Sequence, residues 1–152
     1  MENEKTIAVL NKLITINNDR IEGYETASKE TEEQDLKTLF AHFTATSQKC
    51  RHELTNEVTK LGGTVAEGTL TIGKFFRVWM DVKAALTGKD RKAILNSCEY
   101  GEDIAKDTYE KVLNNDIENL NVEQQTMLKA QHTLLNADHD KVKFMRNLAM
   151  VD

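Results

Sequence analysis

The sequence predicts an all-α protein: two antiparallel helical hairpins joined by a long crossover that contains a short helix. Three observations carry that expectation. Proline is absent from all 152 residues, where an average chain of this length holds about seven or eight, so nothing interrupts long helices. Four segments repeat apolar residues at intervals of three and four. The stretch between the second and third of these is far longer than a turn. A single domain over residues 1–152 fits, because a chain of this size buries roughly 68–70% of its unfolded surface and needs no staples.

The first stripe is Ile7, Leu10, Ile14, Ile21 and Tyr24, with Asn17 in the gap, and predicts a helix from about Glu4 to Ser28. Lys29 to Glu33 then turn the chain, with Thr31 expected as the N-cap of the next helix. The second stripe runs Leu36, Phe40, Phe43, Ser47, Cys50, Leu54, Val58 and Leu61. Gly62-Gly63 follows at once, which is what a left-handed C-cap requires. That helix is about 26 residues, or roughly 39 Å, long.

From Gly62 to Lys89 five glycines punctuate the chain, and Phe75, Trp79, Val82 and Leu86 share one face of a short helix of about 14 residues. Adjacent helix ends need only about 2–8 residues to join; a connector of roughly 27 suits a climb along the height of a bundle. The third long helix starts near Asp90, a good N-cap, carries Ile94, Leu95, Cys98, Ala105, Tyr109 and Val112, and ends at Asn114-Asn115-Asp116. The fourth starts near Asn121 and shows Leu128, Gln131, Leu135, Asp138, Val142, Met145 and Ala149. Lys141, Lys143 and Arg146 in its later turns suit the negative end of a helix dipole. Short turn, long crossover, short turn is the connectivity of a ferritin-like four-helix bundle. No fixed period of about 30–45 residues points to a solenoid.

Composition removes whole classes of function. Twenty basic against 25 acidic residues give a net charge of -5, which argues against a nucleic-acid binder that tracks phosphates. No apolar run approaches the ~18–20 residues of a membrane span, and no basic-then-apolar leader opens the chain. Two cysteines, Cys50 and Cys98, form neither a disulfide framework nor a zinc spacing, in keeping with a reducing cytoplasm.

Polar residues break every stripe: Asn17 in the first, Ser47 and Cys50 in the second, Gly101 and Glu102 in the third, Gln131 and Asp138 in the fourth. Counted from the turns, these breaks fall near mid-height and predict one central buried polar layer. A buried polar group without a partner costs roughly 1–3 kcal/mol, so two readings compete. One is a hydrogen-bonded network that fixes helix register. The other is a metal or small-ligand site, since bundle cores build such sites from facing side chains.

A di-iron bundle uses Glu-x-x-His pairs. Here the residues three before His42, His52, His132 and His139 are Leu39, Lys49, Lys129 and Asn136. The motif is absent, and His52 lies about 200° around its helix from Cys50. What remains is a divergent, mononuclear or weaker metal site drawing on some of Glu22, Glu25, Glu53, Glu102, Asp138 and His139, for which resemblance to ferritin-like folds implies iron or manganese. No catalytic residues emerge. The two thiols sit on apolar faces, and Gly62-Gly63 is followed by no Gly-Lys-Ser/Thr that would cradle a phosphate. Gly101 opposite Asn17 leaves space for a small ligand, and the Phe75–Phe76–Trp79 group suits either packing of the connector or a homodimer seam.

Several features occur in a recognisable order: Asp19 with Gly23-Tyr24, Leu61-Gly62-Gly63, Gly73 with Arg77, Trp79 and Lys83, Cys98-Glu99-x-Gly101-Glu102-Asp103, and Gln131 with His139-Asp140. Together they resemble an uncharacterised family of short bacterial ferritin-like four-helix-bundle proteins, over nearly the whole chain. The resemblance implies that architecture and a bacterial cytoplasmic setting, and no activity. His52-Glu53 against His139-Asp140, and Asp19-x-x-Glu22 against Glu99-x-x-Glu102, echo weakly between the two halves. The function expected first is non-enzymatic, by self-association or partner binding, with a stress-associated role included. The alternative is a metal-binding protein with oxidoreductase-type chemistry.

Overall fold

The computed structural model describes residues 2–68 and 74–151. Among these are five α-helices and no strand: α1 (Glu2–Glu30), α2 (Gln34–Lys60), α3 (Lys74–Thr87), α4 (Arg91–Asn115) and α5 (Val122–Val151), with a short 3-10 turn at Ile117–Asn119. None of these helices is long and apolar enough to cross a membrane. Gly73 and the side chains of Phe75 and Phe76 lie outside the described residues.

Helix α1 packs mainly on α2, and α4 on α5. The register is antiparallel in both pairs. Tyr24 of α1 meets Phe40 and Phe43 of α2, while Leu13 and Ile14 share a cluster with Leu54 and Val58. Between α4 and α5, Glu99 pairs with Arg146, Asp103 with His139 and Glu110 with His132.

The ends form for local reasons, two of them different from those the sequence suggests. Thr31 is not the cap of α2. Its N–H still donates to Ala27 O at 3.0 Å, which closes the last turn of α1, and its hydroxyl accepts the Glu33 N–H at 3.2 Å. Glu33 therefore takes the N-cap position in an extended conformation without a side-chain cap bond. At the other end of α2, Gly62 has φ 79°. Its N–H donates to Thr59 O, and that of Gly63 to Val58 O at 2.9 Å, the paired bonds of a Schellman motif. Helix α3 ends in the same bond pattern, but the left-handed residue is Lys89, φ 54°, rather than Gly88.

Asp90 caps α4 by accepting the Ala93 N–H at 3.1 Å. Asn121 and Gln124 form a reciprocal capping box at the start of α5, with bonds of 2.8 and 2.9 Å. Gln124 also donates to Glu57 of α2.

The crossover climbs along α1. Asn11 bonds to Thr64 O and the Ala66 N–H, and Asn18 donates to Gly68 O. Helix α3 then lies against α4 and α1. Two glycines let it come close: a Cβ on Gly23 would overlap the Trp79 ring, and one on Gly101 would stand 2.8 Å from Val78 Cγ1. The space expected for a ligand at Gly101 is thus filled by Val78, because the crossover helix packs directly on that face of α4.

Among the described residues the apolar core has two large clusters and a small third, Ile16 with Ala105. One large cluster centres on Tyr24, Phe40, Phe43, Val78, Val82, Ile94 and Leu95. The other holds Leu10, Leu13, Ile14, Leu54, Val58, Tyr109, Val112 and Leu128. Along each of α1, α2 and α4 the polar interruption lies between the two.

Candidate functional site

The groups between the clusters gather around one side chain, Arg20, which has no solvent exposure. Its guanidinium faces Glu102 with two parallel bonds, Nε to Oε2 at 2.9 Å and Nη2 to Oε1 at 2.6 Å. Nη2 also donates to Asp138 Oδ2 at 3.1 Å, and Nη1 to Ser47 Oγ at 2.5 Å. Tyr24 OH donates to Glu102 Oε2 at 3.0 Å. The Tyr24 and Phe43 rings flank the cation, with Cζ 5.5 and 5.8 Å from their centroids. All four long helices supply a member: Arg20 and Tyr24 from α1, Ser47 and Phe43 from α2, Glu102 from α4 and Asp138 from α5.

The electrostatics follow from this enclosure. Burial works to lower the Arg20 pKa, but Glu102 and Asp138 outweigh it, and the guanidinium is held more firmly protonated than in water. Burial, with the Glu102 charge beside it, pushes the Tyr24 phenol well up. One guanidinium faces two carboxylates, so the cluster carries a formal excess of one negative charge. Its connection to solvent is His42, whose Nε2 lies 3.3 Å from Asp138 Oδ1 and whose side chain is 58% exposed.

A second chain of bonds runs beside it. Asn17 Nδ2 donates to Tyr109 OH at 2.9 Å, and Tyr109 OH donates to Gln131 Oε1 at 2.7 Å. Gln131 Nε2 donates to Glu53 Oε1 at 3.0 Å and to the Cys50 carbonyl at 3.4 Å. Glu53 pairs with Lys49 on the surface. Asn17, Ser47, Cys50, Glu102, Gln131 and Asp138 are all buried, and they divide between these two networks.

The six residues considered as metal ligands are not brought together. Glu22 and Glu25 are exposed on α1. Glu53 is engaged with Lys49 and Gln131. His139 faces Asp103, Nε2 to Oδ1 at 2.6 Å, on the contact between α4 and α5. Glu102 and Asp138 do converge, but on the guanidinium. A divalent cation set there would meet a fixed positive charge, so these residues do not fit a metal ion. Among the described residues, no three His, Cys, Asp or Glu side chains are grouped so as to hold one.

Both cysteines are free and buried. Burial pushes the Cys50 thiol up to about 11 and that of Cys98 higher still, so neither is poised as a thiolate. On the crossover, Trp79 packs edge-on to Tyr24 at 4.9 Å, and Val78, Val82 and Leu86 are buried within the chain.

Sequence reasoning misses Arg20, the residue around which the layer is organised. A signal was available: position 20 is three after Asn17 and four before Tyr24, squarely on the inward stripe. Two unpaired carboxylates predicted at the same height call for a cation.

The profile of a family described as a domain of unknown function, DUF2383, matches residues 5–115. The chain belongs to that family. The matched span takes in α1 to α4, and with them Asn17, Arg20, Tyr24, Ser47, Glu102 and Tyr109. In this DUF2383 member, Gln131 and Asp138 come from α5, beyond the matched residues. None of the curated proteins compared with the chain matches it.

Proposed function

We propose that this DUF2383 member is a ferritin-like four-helix-bundle protein of the bacterial cytoplasm that acts by protein association, not by chemistry in its core. The observation that carries the reading is the placement of Arg20. A ferritin-like bundle would carry out metal chemistry at mid-height, among inward carboxylates from several helices. Here two such carboxylates are already engaged by a cation belonging to the chain itself. The connectivity supports the architecture: two antiparallel pairs, with a crossover that climbs α1 before entering α4. Two free buried cysteines suit a reducing compartment.

In this reading the ion cluster sets register. Sliding one long helix by a turn would strand Arg20 opposite apolar side chains, and a buried charge that loses its partner costs about 3–5 kcal/mol. Anaerobic titration of the purified chain with Fe(II) or Mn(II), followed by metal analysis and a thermal shift assay, tests the reading. The expected result is less than about one-tenth equivalent retained and an unchanged melting temperature, since a ligand binding the folded state must raise it. One tightly held equivalent would overturn it.

A further inference from the structure

Helix α5 has two apolar faces. One, with Leu128, Leu135 and Val142, is core. The other carries Ala130, Leu134, Ala137, Lys141, Phe144 and Leu148, all of them exposed. Phe144 is 63% and Leu148 55% accessible, far more than a core-packed helix requires. The steps along this stripe alternate four and three, the spacing of the a and d positions that form the seam of a left-handed coiled coil. The stripe spans roughly 27 Å of helix.

Charge and size along the stripe specify the occupant. Lys141 stands on the seam, and Asp140, with its side chain 67% exposed, flanks it. A parallel pair of α5 helices would set the two Lys141 side chains against each other on the axis, which is repulsive. An antiparallel pair with its two-fold axis near residue 139 sets Leu134 opposite the partner's Phe144 and Ala130 opposite the partner's Leu148. Lys141 then lies over the partner's Ala137 and reaches the partner's Asp140. Two lysines and two aspartates meet around the axis with no net charge. The stripe is complementary to itself in reverse, as an isologous interface must be.

We propose that α5 is the seam of an antiparallel homodimer, closed by Lys141 of each copy on Asp140 of the other. This deepens the association reading above and rests on it, naming a second copy of the chain as the partner. Light scattering coupled to size exclusion of the full chain at tens of micromolar should give twice the 17.3 kDa of one chain. The exposed double variant Phe144→Glu/Leu148→Glu should elute as a monomer with unchanged helical circular dichroism. Lys141→Asp should weaken dimerisation at least tenfold, and the swap Asp140→Lys/Lys141→Asp should restore it to within a few-fold. A wild-type monomer at about 200 μM overturns the homodimer. A wild-type dimer indifferent to Phe144→Glu/Leu148→Glu overturns this seam. The metal titration above fails or succeeds independently of both.

Discussion

Cys50 and Cys98 lie on the inward faces of α2 and α4, and burial makes both thiols reluctant to ionise. The consequence for stability has a definite sign. In the unfolded chain a thiol loses its proton from its ordinary value of 9.0, while Cys50 in the folded chain holds it to about 11. Between those values the folded state binds more protons, so stability falls as pH rises, by about 1.4 kcal/mol per pH unit for Cys50. Cys98 adds a further fall in the same direction. Urea denaturation at pH 8, 9 and 10 should show this decline, and Cys50→Ala should make it shallower. Native thiols should react with a disulfide reagent at pH 8 only at the rate of opening, and both should be released on denaturation. Immediate labelling of either thiol in the native state would contradict the burial.

Among the elements, the crossover helix is the one whose seat depends on missing atoms. Gly23 and Gly101 sit inside long helices, where glycine loses about 0.5–1 kcal/mol relative to alanine. Both are explained by the approach of α3, through Trp79 and Val78. Gly23→Ala should therefore destabilise by about 1–3 kcal/mol despite its better helix propensity. It should also shift the fluorescence of Trp79, the one tryptophan of the chain, to the red. A stabilised variant with unchanged emission would show that α3 does not rest there. At the other end of α3, Lys89 holds a left-handed conformation that glycine adopts freely, and its contact to Glu32 is a surface pair at 3.4 Å. Lys89→Gly should raise stability by roughly 1 kcal/mol in chemical denaturation; a loss of that size would mean that the pair or the reduced backbone freedom dominates.

These elements were readable where a residue's own chemistry decides the matter. Gly62-Gly63, Asp90 and Asn121 mark helix ends through backbone conformation and capping, which act within a few residues. Thr31 misled because the turn between α1 and α2 is so tight that the threonine still belongs to the helix it closes. The 3-10 turn at Ile117–Asn119 has no periodic signature to read. The candidate site divides in the same way. Glu102, Gln131 and Asp138 break stripes and declare themselves. Arg20 does not, because a long charged side chain follows its partners, and those lie 82 and 118 residues away in sequence.

For the whole molecule, the cluster around Arg20 joins the α1–α2 pair to the α4–α5 pair at mid-height and stands between the two large apolar clusters. Its members are bound to one another at distances of 2.5–3.1 Å, so loss of one leaves the others charged and dry. An apolar replacement of the entire triad would leave no charge unpaired; the Ser47 and Tyr24 hydroxyls would lose their partners, a smaller penalty than stranding two carboxylates. The two halves should unfold in one transition while the cluster is intact. The most direct measurement is the unfolding free energy of Arg20→Met beside that of the triple variant Arg20→Met/Glu102→Leu/Asp138→Leu. The single change should cost about 3–5 kcal/mol and the triple change less, although it removes more native bonds. If Arg20→Met alone costs under about 1 kcal/mol, the guanidinium is not what the core is built around.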